Sequence, residues 1–143
     1  MEFLQWNDEK MSIGIILIDD QHKELLRIIN QLSTSISEQS QRRDVLMIVD
    51  ELINYADYHF TTEEELFDKF NYSETEIHKK EHQEFVNKFI SMKEKISNDE
   101  SFLRKNAIEI AQDVFNYIIN WFLAHIAGSD RKYIDLFKEN QIH

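Results

Sequence analysis

Residues 59–82 read HFTTEEELFDKFNYSETEIHKKEH. His59 and Glu63 stand four apart, as do His78 and His82. On a helix that spacing sets two side chains on one face, one turn apart. One His-x-x-x-His pair is a modest metal signal. Two pairs joined through a turn are much stronger, provided the fold brings them together. Between them Asn71 and Tyr72 end one helix, and Ser73-Glu74-Thr75-Glu76 has the pattern of a capping box that starts the next.

The rest of the chain bounds what such a fold can be. Its 143 residues suit one domain with a real core, here 1–143. The sequence lacks Pro, holds two Gly, is 42% apolar and is rich in Leu, Ile, Glu and Lys, a composition that favours helices throughout. Without Cys there can be no disulfide, no zinc–thiolate site and no thiolate-held iron–sulfur cluster. A formal charge of -11 argues against nucleic acid as a partner, because phosphate contacts need a basic face. The start MEFLQWNDEK has neither the basic nor the apolar region of a secretory signal, and no apolar run nears the roughly 20 residues of a membrane span. A cytoplasmic protein without membrane insertion is expected.

Working outward from 59–82, the apolar seams can be counted. Residues 1–18 form an N-terminal arm anchored by Phe3, Leu4 and Trp6, with a turn at Gly14. A first helix is expected from Asp19, a good N-cap, with Ile18, His22, Leu25, Ile29, Leu32 and Ile36 on one seam. A second starts near Asp44 and carries Val45, Val49, Leu52, Ala56, His59, Glu63, Leu66 and Phe70. The third carries His78, His82, Phe85, Phe89, Met92 and Ile96. The fourth carries Ile108, Ala111, Phe115, Ile118, Phe122 and His125, and stops near Gly128. The tail 130–143 adds a short helix with Ile134 and Phe137 inward. These four seams across 19–127, joined by short connections, predict an all-α protein: an up-down-up-down antiparallel four-helix bundle with an N-terminal arm and a short C-terminal helix.

In such a bundle the start of helix one, the end of two, the start of three and the end of four share one end. His22, His59, Glu63, His78, His82 and His125 all fall there, with Asp130 nearby. A lone seam histidine is most often a core residue with one satisfied hydrogen bond. A seam carboxylate is costly without a partner. Under that bland reading, five histidines and a Glu at one level would need many unrelated partners. A metal would satisfy them together. His143, at the terminus, stays outside this reading. Of Glu63, Glu64 and Glu65, only the first points inward.

Taken together, these motifs resemble the hemerythrins, specifically the bacterial hemerythrin-like oxygen-binding proteins. The resemblance covers almost the whole chain. It rests on Gly14-Ile15 through Ile18-Asp19-Asp20-Gln21-His22-Lys23, on His59-Phe60-x-x-Glu63-Glu64, on His78-x-x-x-His82-x-x-Phe85, and on Trp121-x-x-x-His125-Ile126-x-x-x-Asp130. Myohemerythrin is itself a standard example of the up-down bundle. The resemblance implies two iron ions per chain. His78, His82 and His125 would hold one, His22 and His59 the other. Glu63 and Asp130 would bridge them, with an oxo or hydroxo group as third bridge.

That ligand count implies a function. Two octahedral ions need twelve positions. Five histidines fill five, two bridging carboxylates four, and the single-atom bridge two. One position is left, on the iron with two histidines, for O2. Leu25, Phe60, Phe122 and Ile126 each lie within a turn of a ligand and are the expected apolar wall of that pocket; Tyr133 is expected beside Asp130 as a hydrogen-bonding support. Reversible O2 binding for storage, delivery or sensing is expected, not catalysis. The alternatives are a di-iron oxidase or peroxidase, or the handling of iron, nitric oxide or peroxide at the same site. Ferritin-like oxidase sites use Glu-x-x-His pairs, and this sequence contains none. Besides O2, the partner classes are an oxygen-using enzyme or a separate signalling protein, and a monomer is expected. His125 and Asp130 are five residues apart, which is about 140° round an α-helix. They can share a face only if the helix breaks, and Gly128 is the expected break.

Overall fold

The computed structural model describes residues 4–37, 42–98 and 107–142. Its elements are α1 (Asp8–Met11), α2 (Ile16–Ser37), α3 (Arg42–Lys69), α4 (Thr75–Asn98) and α5 (Ala107–Ala124), then a π-helical turn (His125–Ser129), a 3-10 turn (Asp130–Tyr133) and α6 (Ile134–Glu139). No strand occurs among the described residues, and none of their helices is long and apolar enough to cross a membrane. Phe3, the side chain of Ile36, and His143 lie outside the described residues, as does most of the two polar connections.

The four long helices form the expected antiparallel bundle. α2 packs against α3 and α5, and α3 against α4. Aromatic pairs close the α4–α5 face, with Phe85 against Trp121 at 4.2 Å and Phe89 against Tyr117 at 5.5 Å between ring centroids. Ile18, Leu25, Ile29 and Leu32 from α2, Val45, Val49, Leu52 and Ala56 from α3, Phe85, Phe89 and Ile96 from α4, and Ala111, Phe115, Ile118 and Phe122 from α5 are all buried, as their seams require.

Two boundaries differ from expectation. α2 begins at Ile16, not Asp19. Asp19 sits inside the first turn and reaches back, accepting the Ile13 backbone N–H at 2.9 Å and the Ser12 hydroxyl. It therefore caps the incoming arm from within the helix, and Gly14, at φ +74°, makes the turn that permits this. Ile16 and Leu17 open the helix with their side chains exposed. α4 begins at Thr75, not Ser73: the Thr75 N–H and hydroxyl both donate to the Tyr72 carbonyl. Upstream, Asn71 takes the left-handed conformation at φ 55°, and the Tyr72 N–H donates to the Phe67 carbonyl. With Tyr72 packed on Phe67 at 4.9 Å this is a Schellman stop.

The second-helix seam also changes step. Past Glu63 the buried residue is Phe67, while Leu66 and Phe70 are only half-buried. A straight α-helix drifts against a strict 3.5-residue repeat. Phe67 also meets the tail, touching Tyr133 at 5.0 Å and Phe137 at 5.8 Å, and so turns fully inward. In α5, Ile108 is half-buried, and Ile110 and Val114 lie in the core beside the predicted seam. Leu4 and Trp6 are half-buried anchors of the arm, whose buried residues are Met11, Ile13 and Ile15. Asn30 pins the arm's start to α2 through two hydrogen bonds with the Leu4 backbone, 3.0 and 2.9 Å. In the tail Phe137 is buried and Ile134 half-buried against the core.

Candidate metal centre

Every predicted site residue reaches one level at one end of the bundle. His22 lies in the second turn of α2, His59 and Glu63 in the last turns of α3, and His78 and His82 in the first turns of α4. His125 follows α5 directly and Asp130 opens the 3-10 turn. None is more than 5% exposed, and Glu63 and Asp130 are 0%.

Asp130 arrives by a route that differs from expectation. The helix does not break at Gly128. It widens, and the Asp130 N–H donates to the His125 carbonyl across the π turn. Such a turn closes i→i+5 bonds, so residues five apart return to nearly one face. Gly128 has no positive φ, and a Cβ built on it would meet nothing within 4 Å. Neither space nor backbone conformation requires a glycine there.

The polar atoms converge closely. His22 Nε2 lies 2.9 Å from Asp130 Oδ2, and Asp130 Oδ1 lies 2.9 Å from His78 Nε2 and 3.0 Å from His125 Nε2. Glu63 Oε1 is 2.7 Å from His59 Nε2 and 3.7 Å from His82 Nε2, and its Oε2 is 3.8 Å from His78 Nε2. Two clusters emerge whose candidate ligand atoms lie within 4.8 Å of one another: Glu63, His78, His82, His125 and Asp130, and His22, His59, Glu63 and Asp130. Glu63 and Asp130 belong to both, and the histidines divide three and two.

Hydrogen bonding does not account for this crowding. Both Glu63 oxygens, Asp130 Oδ2, both His82 nitrogens and His125 Nε2 are buried without a hydrogen-bond partner, despite their short contacts. His22 Nε2 and His59 Nε2 face each other at 3.1 Å. Leaving a buried polar atom unpaired costs about 1–3 kcal/mol each. Neutral imidazole and carboxylate are donors suited to a divalent first-row metal, and a cation in each cluster would engage these atoms at once. The residues present fit a pair of metal ions.

Electrostatics without a metal is divided. Burial lowers His22, and burial brings His82 down to about 3, so both favour the neutral form. Burial would lower His125 too, but Asp130 and Glu81 outweigh it and raise it to about 10. Burial would raise Asp130 and Glu63; the facing histidines pull both below the usual carboxylate range.

Around the clusters the wall is apolar and aromatic. Leu25, Phe60, Phe122 and Ile126 are all buried. Phe122 stands edge-on to His22 at 6.2 Å, beside the two-histidine cluster. Phe60 lies flat on His82, 3.9 Å between centroids and 8° between planes, and also meets His59 of the two-histidine cluster at 5.7 Å and His125 at 6.1 Å. Trp121 stacks on His125 at 4.4 Å. Tyr133 is wholly buried, and its hydroxyl closes no hydrogen bond, so the support expected beside Asp130 is not made.

Two supporting residues escape sequence reasoning. The Gln21 Oε1 accepts from His59 Nδ1–H at 2.7 Å, and Glu81 Oε2 accepts from His125 Nδ1–H at 3.2 Å and from the Ser129 hydroxyl. Each adjoins a histidine in sequence but serves a different one across the bundle. Only the fold reveals these pairings.

Comparison with known proteins agrees with this geometry. A sequence model of the hemerythrin HHE cation binding domain matches residues 14–137. The bacteriohemerythrin of Clostridium acetobutylicum is 31% identical over 134 residues, covering 91% of this chain and 98% of the relative. That of Stenotrophomonas maltophilia is 29% identical over 138 residues, covering 96% and 84%. Among solved structures, wild-type hemerythrin superposes with TM-score 0.81 at 24% identity, over 94% of this chain and 98% of that one, and a single-site hemerythrin variant with TM-score 0.82 at 25%, over 95% and 98%. With a domain match that takes in all four long helices and both clusters, this chain belongs to the hemerythrin family.

Proposed function

We propose that the chain, as one domain, holds two iron ions bridged by Glu63, Asp130 and an oxo or hydroxo group, and binds O2 reversibly without turning it over. The observation that carries this reading is the sharing of Glu63 and Asp130 by two clusters with unequal histidine numbers. His78, His82 and His125 would complete one ion, while His22 and His59 would leave the other one position short. When bound, two ferrous ions supply one electron each and an open position for O2.

The side chains have their own parts. Glu63 and Asp130, both wholly buried, would offset half of the charge of two divalent ions, which a dry core would otherwise resist. The five imidazoles serve as neutral donors, the form that burial already imposes on His22 and His82. Phe122, edge-on to His22, and Leu25, one turn from it, would exclude water from the two-histidine side, with Ile126 in the same apolar wall, and slow the entry of protons that would discharge the bound ligand. Phe60, stacked on His82 and 5.7 Å from His59, walls both sides and lies closest to the three-histidine one.

The test is to load the protein with ferrous iron, measure two irons per chain, and follow the visible spectrum through cycles of air and vacuum. A carrier gives a stable spectrum that reverses. Irreversible conversion to the ferric form with consumption of O2 at each reduction would indicate an oxidase and sink the proposal.

A further inference from the structure

Among the described residues, the imidazoles whose outer nitrogens bond an identified side chain make unlike contacts on the two sides of the site. His125, of the three-histidine cluster, directs Nδ1–H at a carboxylate, Glu81 Oε2, 3.2 Å away. That oxygen is fixed in place by the Ser129 hydroxyl, which the π turn carries round to it. A second carboxylate, Glu64 Oε2, lies 3.9 Å from Nδ1 of His82 in the same cluster, too far for a hydrogen bond but near enough to act through its charge. His59, of the two-histidine cluster, directs Nδ1–H at a neutral amide, Gln21 Oε1, at 2.7 Å. Thr62 steadies the other end of that amide, its hydroxyl 3.4 Å from Gln21 Nε2 and itself donating to the Tyr58 carbonyl. His22 Nδ1 is buried with no partner. Among the described contacts, the carboxylates outside the shared bridges that meet an outer imidazole nitrogen therefore flank the three-histidine side.

The direction of the effect follows from donor chemistry. An Nδ1–H given to a carboxylate pushes electron density toward Nε2, so the imidazole becomes a stronger donor and favours the more highly charged metal. A neutral amide does this weakly. We infer that Glu81 and Gln21 are positioning residues that set unequal reduction potentials for the two metal ions, holding the three-histidine ion ferric more firmly and leaving a single reducing electron on the two-histidine ion. The inference rests on the di-iron reading above. It places that electron on the ion with the open position, so a half-reduced site keeps its ferrous ion where the ligand arrives. Histidine number alone would also make the ions differ, so the test must alter the supports and leave every ligand in place.

Redox titration of the iron-loaded protein, followed by visible absorption and electron paramagnetic resonance, reads both one-electron steps. Wild-type protein should show two separate midpoints and a large half-reduced fraction midway. Glu81→Gln keeps the size and the hydrogen bond but removes the charge, at a half-exposed position where folding is safe. It should raise the lower midpoint, leave the upper one nearly in place, and reduce the comproportionation constant about tenfold, which for a one-electron step is about 59 mV. Gln21→Glu should narrow the gap from the other end, by lowering the upper midpoint. Glu81→Asp should restore part of the wild-type gap. Iron content at two per chain in each variant separates this effect from ligand loss. Wild-type protein that binds no iron pair would sink the di-iron reading and this inference with it. Two irons per chain with midpoints unmoved by Glu81→Gln, or moved equally, would overturn this inference alone.

Discussion

Asp130 Oδ1 stands 3.0 Å from His125 Nε2, five residues back along the chain, because the helix between them widens into a π turn. On an α-helix the same two side chains would point about 140° apart. One looser turn thus recruits a carboxylate to both clusters, and it also delivers Ser129 to Glu81. π turns of this kind gather at functional sites, and here the reason is geometric.

Gly128→Ala should therefore be harmless. The position has no positive φ, and the added methyl meets nothing within 4 Å. Ala is favoured over Gly in helical backbone by up to about 1 kcal/mol. Urea unfolding of the iron-loaded variant is expected to give stability equal to or above wild type. A loss beyond about 1 kcal/mol would mean that the turn needs a glycine after all.

Much of this site is legible in the sequence, for a plain reason. His22, His59, Glu63, His78, His82 and His125 lie on periodic seams, and an up-down bundle brings the ends of those seams together. Less legible are features where a local rule loses to a tertiary one. Asp19 has the chemistry of an N-cap, but the helix starts at Ile16 and uses Asp19 to bind the arm. Phe67 departs from the counted seam because Tyr133 and Phe137 of the tail pack against it. Glu81 and Gln21 carry no periodic signal: each sits beside one histidine in sequence and supports another across the bundle.

Glu63→Ala should abolish the metal pair. Its two oxygens face His59, His82 and His78, spanning both clusters. Removing them strips a donor from each ion and leaves a cavity in the core. Iron analysis after reconstitution should show well under two irons per chain. A variant retaining two irons and a reversible O2 spectrum would show that Glu63 is not a ligand.

Without metal, stability should fall on both sides of neutrality. His82, brought to about 3, and His22, also lowered, bind protons less readily folded than unfolded. Their contribution is present above the ordinary 6.5 and is lost as pH falls from there toward 3. Asp130 and Glu63, held low by histidines, add to the acid loss. His125 behaves oppositely: raised to about 10, it contributes fully below 6.5 and loses that contribution as pH rises toward 10. Iron binding would make His125 a neutral donor and remove the alkaline loss. Thermal midpoints of metal-free and iron-loaded protein from pH 4 to 10 check this. Equal midpoints at every pH would count against a metal site in the core, and a metal-free midpoint flat from pH 7 to 10 would show that Asp130 and Glu81 do not hold His125 charged.

The unequal clusters make the sharpest prediction. On the proposed di-iron reading, three histidines and two bridging carboxylates, with the single-atom bridge, would complete one octahedral ion, and two histidines would leave the other short by one. A small anion such as azide should therefore bind the ferric protein once per two irons. Bulk on the wall beside the two-histidine ion should weaken azide and O2 together. Leu25→Phe is the test, since Leu25 is buried one turn from His22 and bonds no ligand. Iron content should stay near two per chain. Phe60→Trp enlarges the wall chiefly on the three-histidine side, where the ring lies flat on His82 at 3.9 Å, with His59 farther off at 5.7 Å. Overpacking there should cost about 1–3 kcal/mol of stability and leave azide affinity nearly unchanged. The contrast separates a vacancy fixed by ligand number from a general sensitivity of the core. Two azides per iron pair, or an azide seated on the ion of His78, His82 and His125, would refute the single vacancy. Equal loss of azide binding in both variants would show that the wall does not discriminate between the two ions.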